Sequence, residues 1–188
     1  MPRLLETIKC LDGLALHLPY HQKRLNYSRQ KLELYSPLKL ALDPPKEGLY
    51  RCRVIYEDDI INIQYIPYVQ KKIKRFKLTH SQIDYALKYE NRNEINELFE
   101  KKEEADEIII VKDDLITDTS ISNICVYDGK QWLTPKTPLL NGTTRQRLLD
   151  NNTIHLADIS YKDMHKFSKI ALLNAMIDFH IIENAIIT

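Results

Sequence analysis

The residues best suited to covalent chemistry lie around Lys88, near the middle of a chain of 188 residues. Leu87 and Tyr89 flank this lysine, and apolar neighbours can partly remove an amine from water. Desolvation disfavours the ammonium form and leaves a nucleophilic amine, which is the condition for Schiff-base chemistry. A solvated surface lysine is the alternative, since most lysines in proteins are exposed.

Two other lysines compete with Lys88 for this role. Lys112 is followed by two aspartates, which would hold its side chain in the charged form. Lys169 begins a stretch that we predict to be a buried strand. Both are kept as alternative candidates for a nucleophilic amine.

Several cationic side chains are spaced so that they could bind an anion. His21 and Arg24 are three residues apart on a predicted helix and therefore share one face. Arg51 and Arg53 alternate with Cys52 on a predicted strand, so both guanidiniums project from the same side. They would repel each other unless a carboxylate or another anion lies between them. We therefore take them as candidate substrate-binding residues; a solvent-facing strand edge is the alternative.

The segment Asn141–Thr144 could bind a phosphate group. It precedes a predicted short helix over Arg145–Leu149, and it offers Gly142 followed by the hydroxyls and backbone amides of Thr143 and Thr144. Free amides at a helix N-terminus bind phosphate readily. Threonine is also an ordinary helix N-cap, which is the alternative reading of these residues.

The elements that must position these side chains are predicted from apolar periodicity and from glycine and proline breaks. We predict a mixed α/β protein with a domain over residues 1–80 and a larger one over residues 81–188. Asp128-Gly129 is the strongest two-residue hairpin signal. Lys71–Arg75 is predicted to run into an edge strand. The predicted helices are Tyr20–Leu34, Asn91–Lys102 and Arg145–Leu149; the predicted strands are Leu4–Cys10, Leu14–His17, Leu49–Tyr56, Ile60–Tyr68, Ile73–Leu78, Ala105–Val111, Leu115–Thr119, Ile121–Tyr127, Lys130–Leu133, Thr153–Leu156, Lys169–Met176 and Phe179–Ile182.

Composition places the chain among ordinary globular proteins, with 44% apolar and 28% charged residues. A net charge of +1 gives no reason to expect nucleic acid or a membrane surface as a partner. Three separated cysteines without a CxxC spacing favour a reducing compartment and speak against a disulfide or zinc framework. No signal peptide or membrane span is recognisable, so we expect a cytoplasmic protein.

Taken in order, several segments resemble the fold type IV pyridoxal-phosphate enzymes, the family of aminodeoxychorismate lyase, branched-chain aminotransferase and D-amino-acid aminotransferase. Each segment alone is unspecific, and their number, order and spacing across nearly the whole chain carry the resemblance. The matching segments are Leu5–Lys9 with Asp12-Gly13, His21–Leu25 with Ser28, Lys88 with Asn91-Arg92, Ile116–Asp118 through Asn123, Thr134-Pro135, Gly142–Arg145 and Leu173–Ala175.

The resemblance implies a role for each matching residue. Lys88 would form the Schiff base with the cofactor aldehyde and later move the proton at the substrate Cα. Arg24 would hold the cofactor phosphate together with the cradle Gly142-Thr143-Thr144 and Asn174. Asp118 would pair with the pyridine nitrogen and keep it protonated, so that the ring accepts electrons. The family also implies a homodimer. We expect no metal site.

Two departures from the family pattern limit what can be carried over. Asp118 stands where the family has a glutamate, which is longer by one methylene, so a closer backbone or a bridging water would be needed. The sequence also lacks the usual N-terminal segment, so we expect a shortened first domain. The substrate rules of the family are therefore not transferred to this chain.

Three functions remain open from the sequence. The first is lyase chemistry on 4-amino-4-deoxychorismate, which releases pyruvate and gives 4-aminobenzoate for folate biosynthesis; Lys88–Arg92 and Leu173–Ala175 look more like this branch. The second is transamination of the branched-chain or D-amino-acid type. The third is a non-catalytic relative that binds the cofactor or a partner, which the missing N-terminal segment and Asp118 would favour. Retention of Lys88, Arg24 and the phosphate cradle together speaks against the third.

Overall fold

The computed structural model describes residues 1–188 and divides into two compact units. The first unit comprises Met1–Gln70 and Leu87–Asn91, and the second comprises Lys71–Ala86 and Arg92–Thr188. The division therefore falls before the predicted boundary at residue 80. Lys88, which we expected in the second domain, belongs to the first unit.

The first unit is built on a four-stranded antiparallel sheet in the order β2-β1-β3-β4. Apolar and polar residues alternate along its strands, as a half-buried sheet requires. Asp12 and Gly13 join β1 to β2 with φ values of 46° and 82°, the positive φ values that a two-residue hairpin turn needs. The strands are β1 (Leu4–Leu11), β2 (Leu14–Ala15), β3 (Leu49–Tyr56) and β4 (Ile60–Pro67).

Helix α1 (Leu18–Lys31) covers one face of this sheet. It starts one residue before Pro19, which fits the first turn because proline lacks the N–H that would be unpaired there. Leu25 packs with Ile8 and Val54 in a buried apolar cluster. Arg29 is also buried and donates to the carbonyl oxygen of Asp58 at 2.8 Å, which ties the helix to the β3–β4 turn.

A short segment around Lys88 adds to the free edge of β1. Tyr89 pairs with Leu4 in an antiparallel bridge. The backbone N–H of Leu5 donates to the carbonyl oxygen of Lys88 at 2.8 Å, and the N–H of Glu90 donates to that of Arg3 at 2.9 Å. This pairing explains why residues 87–91 belong to the first unit, and its register puts Lys88 opposite Leu5.

The second unit contains a nine-stranded mixed sheet. Its path runs β10-β9-β8-β7-β6-β5-β13, and β11 pairs with both β8 and β12. The strands are β5 (Arg75–His80), β6 (Glu107–Lys112), β7 (Leu115–Thr119), β8 (Asn123–Tyr127), β9 (Trp132–Pro135), β10 (His155–Ala157), β11 (Lys169–Asn174), β12 (Asp178–Ile182) and β13 (Ile186–Ile187).

The helices of the second unit are short. They are α2 (Asn93–Glu100), α3 (Thr143–Asp150) and a 3-10 helix over Tyr161–Lys166. The main core of the unit is formed by apolar residues of the central strands, among them Ile109, Ile124 and Leu172. No helix of the chain has both the length and the apolar character that crossing a membrane requires.

Two local predictions differ from the structure, and one short strand was not predicted. We predicted that residues 71–75 run into an edge strand, but β5 begins at Arg75, so residues 71–74 lie outside it. Tyr127 pairs with Trp132, so the β8–β9 loop has four residues and not the two expected from Asp128-Gly129. Asp128 Oδ1 organises this loop by accepting the N–H groups of Lys130 and Gln131, each at 2.8 Å. β13 was not predicted because two residues carry no periodicity.

Candidate functional site

A buried carboxylate links β1 to α1 in the first unit. Glu6 has no solvent exposure, and Arg24 binds it through two parallel contacts, Nε to Oε1 at 2.8 Å and Nη2 to Oε2 at 2.6 Å. His21 Nδ1 lies 2.7 Å from Oε2 of the same carboxylate. The planar fork of arginine matches a carboxylate in this geometry, which fixes the position of the guanidinium.

The charges of this cluster follow from burial and from its own partners. Burial raises the pKa of Glu6, but the charge of Arg24 and the hydrogen bonds from His21 and Arg24 outweigh it and bring the pKa to about 2. Burial lowers the pKa of His21, and the positive charges of Arg24 and Lys88 lower it further. The hydrogen bond to Glu6 and the charge of Glu6 raise it. At neutral pH Glu6 is therefore ionised, and His21 is a neutral ring that donates its Nδ1–H.

Lys88 is half-buried, at the edge of β1. Leu87 and Tyr89 both belong to the apolar cluster of the first unit, and Leu87 is only 7% exposed. The competing lysines lie in other surroundings: Lys112 donates to the carbonyl oxygen of Ile83 at 3.4 Å, and the exposed Lys169 lies over the ring of Tyr127.

In the second unit, α3 begins with an N-terminus that no side chain caps. Gly142 is its N-cap residue, and Thr143 and Thr144 are 7% and 5% exposed. The first amides of a helix have no partner within the helix. An uncapped helix start with buried hydroxyls fits an anion such as a phosphate group.

Asp118 and Asn123 fix the loop that leads into α3. Asn123 Nδ2 donates to Asp118 Oδ1 at 2.7 Å and to the carbonyl oxygen of Leu140 at 2.8 Å. The Leu140 N–H donates to Asp118 Oδ2 at 2.9 Å. A Cβ on Gly142 would lie 1.9 Å from Asn123 Oδ1, so only glycine allows this approach.

Asp118 is 4% exposed, and burial raises its pKa to about 7 against the opposing effect of the Leu140 N–H and Asn123. Each of its oxygens accepts one of the two hydrogen bonds described. A carboxylate has about four acceptor sites, so a further donor can still be accommodated.

Asn174 is half-buried at the end of β11. Its Oδ1 accepts the N–H groups of Met176 and Ile177 at 2.9 and 3.1 Å, and its Nδ2 donates to the carbonyl oxygen of Ile121 at 3.3 Å. One amide hydrogen of Asn174 is left for another acceptor.

The predicted site residues therefore fall into two sets. Lys88, Arg24, Arg51 and Arg53 lie in the first unit; Asp118, Gly142, Thr143, Thr144 and Asn174 lie in the second. The sequence reading gave no role to Glu6 or to Asn123. Glu6 had a usable signal, because it is the one acid at an inward position of β1 between Leu4 and Ile8. Asn123 had none beyond its place in a matching segment, since the loop residue Leu140 that it binds is 17 residues away in sequence.

Comparisons with known proteins agree with the resemblance. A family model described as Amino-transferase class IV matches residues 67–184. An uncharacterised protein of Haemophilus influenzae is 36% identical in an alignment of 183 positions, which covers 92% of this chain and 97% of that protein. A solved structure from Haemophilus somnus, described as a candidate 4-amino-4-deoxychorismate lyase, is 36% identical with a TM-score of 0.84 and covers 94% of this chain and 97% of its own. A hypothetical aminotransferase of Mycobacterium tuberculosis in a PLP-bound form has a TM-score of 0.80 at 16% identity, covering 99% of this chain and 81% of its own.

We predict that Glu6→Gln lowers the free energy of unfolding at pH 7 by about 3 kcal/mol, because it leaves Arg24 without its buried counter-charge. The folded-state pKa of Glu6 is depressed from 4.5 to about 2, so its stabilisation is present above about pH 4.5 and is lost as the pH falls toward 2. Urea unfolding at pH 7 and pH 3 measures the difference between wild type and variant, which should shrink at pH 3.

The exposed Glu47 provides the control, since Glu47→Gln should leave stability unchanged at both pH values. A difference between wild type and Glu6→Gln that stays constant from pH 7 to pH 3 would contradict a charge-based role for Glu6.

We predict that Gly142→Ala destabilises the protein by about 1–3 kcal/mol, because its Cβ forces the Asn123 side chain to move. Asn123→Ala should remove the clash at the cost of its own hydrogen bonds. In a double-mutant cycle by thermal unfolding, the two substitutions should therefore be non-additive, with the double variant more stable than the sum of the single effects predicts. Additive effects would show that Gly142 and Asn123 do not interact.

Proposed function

Since the chain belongs to the amino-transferase class IV family of enzymes, we propose that it binds pyridoxal 5′-phosphate and that Lys88 supplies the amine to which the cofactor aldehyde is joined. One observation carries the proposal: two consecutive residues of β1 hold the two groups that it needs. Leu5 binds the backbone of Lys88, and Glu6 holds the guanidinium of Arg24. The nucleophilic amine and the phosphate ligand are thus set by the same strand.

The residues present fit the proposed cofactor. In the first unit, the guanidinium of Arg24 is suited to a phosphate group. In the second unit, the uncapped start of α3 is suited to one as well, through the amides of Thr143 and Thr144 and the close approach allowed by Gly142, and Asn174 has a remaining amide hydrogen. The fold is shared with a PLP-bound structure of Mycobacterium tuberculosis, which supports the same assignment.

Each remaining group has a defined task in this proposal. The bound cofactor acts as an electron sink for the substrate carbon that carries the amino group. Lys88 Nζ takes the proton from that carbon and returns it later. Asp118 would accept a hydrogen bond from the ring nitrogen, and a cationic N–H there would favour the ionised form of its carboxyl.

For the reaction, we propose elimination of pyruvate from 4-amino-4-deoxychorismate to give 4-aminobenzoate. The support is the Haemophilus somnus structure, which is 36% identical over almost the whole chain and is described as a candidate for this lyase. Transamination of the branched-chain or D-amino-acid type is the second candidate, and the Mesorhizobium loti structure described as a candidate amino-acid aminotransferase, at 20% identity and TM-score 0.82, supports it through the fold alone. A cytoplasmic homodimer remains part of the proposal.

We expect borohydride reduction of the purified protein, after incubation with pyridoxal phosphate, to label the peptide that contains Lys88. Reduction turns a lysine–cofactor linkage into a stable pyridoxyl group, which peptide mapping by mass spectrometry locates. Lys88→Ala should abolish both this label and the visible absorbance of the cofactor. Lys112→Ala and Lys169→Ala are the controls and should keep both. A label on Lys112 or Lys169, or on no lysine, would refute the proposal.

The reaction itself is distinguished by its products. With 4-amino-4-deoxychorismate, a lyase releases pyruvate and 4-aminobenzoate without a keto-acid acceptor, whereas a transaminase needs one. Pyruvate release that depends on Lys88 supports the lyase. Amino transfer to a keto acid without pyruvate release supports the transaminase.

A further inference from the structure

Glu107 is a buried carboxylate of the second unit that belongs to no ion pair. It begins β6 and is only 2% exposed, and none of the ion pairs of the protein includes it. Burying a carboxylate without a paired cation is unfavourable, and an apolar residue would suit the start of this apolar strand better. Core packing alone therefore does not explain a glutamate at this position.

The carboxyl of Glu107 holds Ser120, which lies in the turn between β7 and β8. Oε1 accepts the backbone N–H of Ile108 at 2.8 Å and that of Ser120 at 3.2 Å, and Oε2 accepts the Ser120 hydroxyl at 2.9 Å. Arg92, at the start of α2, donates from Nη2 to the carbonyl oxygen of Ser120 at 2.6 Å. All three polar groups of Ser120, which is 6% exposed, are thus bound by charged side chains from other elements.

The rest of this turn, Thr119–Ser122, is held by further hydrogen bonds. The Thr119 N–H donates to the carbonyl oxygen of Ser122 at 2.9 Å, and the Thr119 hydroxyl oxygen accepts the Ser122 N–H at 3.0 Å. Asn174 Nδ2 donates to the carbonyl oxygen of Ile121 at 3.3 Å. Buried hydrogen-bond networks of this kind rigidify the backbone that they include.

The turn joins the two residues that fix the loop before α3. Asp118 precedes the turn and Asn123 follows it, and the two are paired across β7 and β8. Ser120 is two residues from Asp118, so a displacement of Ser120 moves the backbone that carries the Asp118 carboxyl. An aspartate has a single methylene group between backbone and carboxyl, and it has little reach with which to compensate for a displaced backbone.

We propose that Glu107 is a positioning residue for the cofactor: by holding Ser120 it sets the path of the β7–β8 turn, and with it the place at which Asp118 meets the cofactor ring. This inference rests on the proposed function, which assigns the ring contact to Asp118.

Glu107 acts in this role through its reach and not through its charge. Burial raises the pKa of Glu107 against the opposing hydrogen bonds from Ile108 and Ser120. A protonated carboxyl can still accept the two backbone N–H groups through Oε1 and can donate its own proton to the Ser120 hydroxyl oxygen. The contacts to Ser120 are therefore available to both forms of the carboxyl.

The test measures the dissociation constant of pyridoxal phosphate through the visible absorbance of the protein. Glu107→Gln keeps the length of the side chain, with an oxygen for the two backbone N–H groups and an amide N–H for the Ser120 hydroxyl, and it should bind the cofactor as wild type does. Glu107→Asp keeps the carboxylate but is too short to hold Ser120. It should raise the dissociation constant roughly 10-fold, as expected for the loss of one or two hydrogen bonds.

A double-mutant cycle tests whether Glu107 acts through Asp118. Asp118→Asn removes the carboxylate that the turn is proposed to position, so Glu107→Asp should weaken cofactor binding less in this background than in wild type. A merely structural role would lower the unfolding temperature of Glu107→Asp without this non-additivity. Glu97→Asp changes an exposed acid of α2 and is the control, which should leave the dissociation constant unchanged in both backgrounds.

Ser120→Ala replaces Glu107→Asp in the same comparison if that variant does not fold. It removes only the hydroxyl contact and should raise the dissociation constant roughly 3-fold, again less in the Asp118→Asn background.

The outcomes distinguish this inference from the function on which it rests. Absence of the cofactor absorbance in wild type would refute the proposed function. Normal absorbance in wild type, combined with an equal dissociation constant in Glu107→Asp, would overturn the role of Glu107 alone. Weakened binding in Glu107→Gln would overturn it too, since the charge would then matter and not the reach, and so would additive effects in the cycle.

Discussion

The first unit depends on the burial of one ionised carboxylate. Glu6 lies in an apolar layer between β1 and α1, where an unpaired charge would cost several kcal/mol. The layer is stable only if α1 brings Arg24 and His21 to that depth and angle, one helical turn apart. The ion pair therefore sets the position of α1 along β1, and it gives Arg24 a fixed orientation that a solvent-exposed arginine lacks.

Strand β1 divides its residues between two tasks by simple alternation. Its inward residues Leu4, Ile8 and Cys10 pack in the core around Glu6. Its outward residues Leu5, Thr7 and Lys9 share a face with Arg51 and Arg53. The edge near Leu5 also pairs with the segment that carries Lys88. A single strand thus positions both Arg24 and the segment that carries Lys88.

The mixed α/β class and most elements of the fold were predictable because they depend on local periodicity. The family resemblance was also confirmed, since it rests on residue types at spacings that the sequence displays directly. The addition of residues 87–91 to β1 was not predictable, because the two segments are far apart in sequence and a single bridge leaves no pattern. The sequence assigned Lys88 to the domain over residues 81–188, whereas the structure groups Leu87–Asn91 with the first unit.

The candidate site divides in the same way. Arg24, Lys88 and the Gly142–Thr144 segment were identified from their chemistry and order, and their roles stay predictions. The partners that orient them were not identified. Glu6 looks like an ordinary polar residue until the helix that supplies its counter-charges is in place. The outward face of the sheet was partly predictable: Arg51 and Arg53 share a face by spacing, but Lys9 joins them only through the register of β1 with β3.

Asp118 shows how a shorter side chain changes what a carboxylate can do. Its two oxygens hold Leu140 and Asn123, and Asn123 in turn lies against Gly142, the residue at the start of α3. The group proposed to meet the cofactor ring is therefore connected through one amide side chain to the group proposed to meet its phosphate. With a pKa of about 7, the carboxyl is balanced between its two forms at neutral pH. A positively charged donor at this position shifts that balance toward the ionised form, which strengthens the bonds from Leu140 and Asn123. Binding at the ring end would thus tighten the loop that presents the phosphate end.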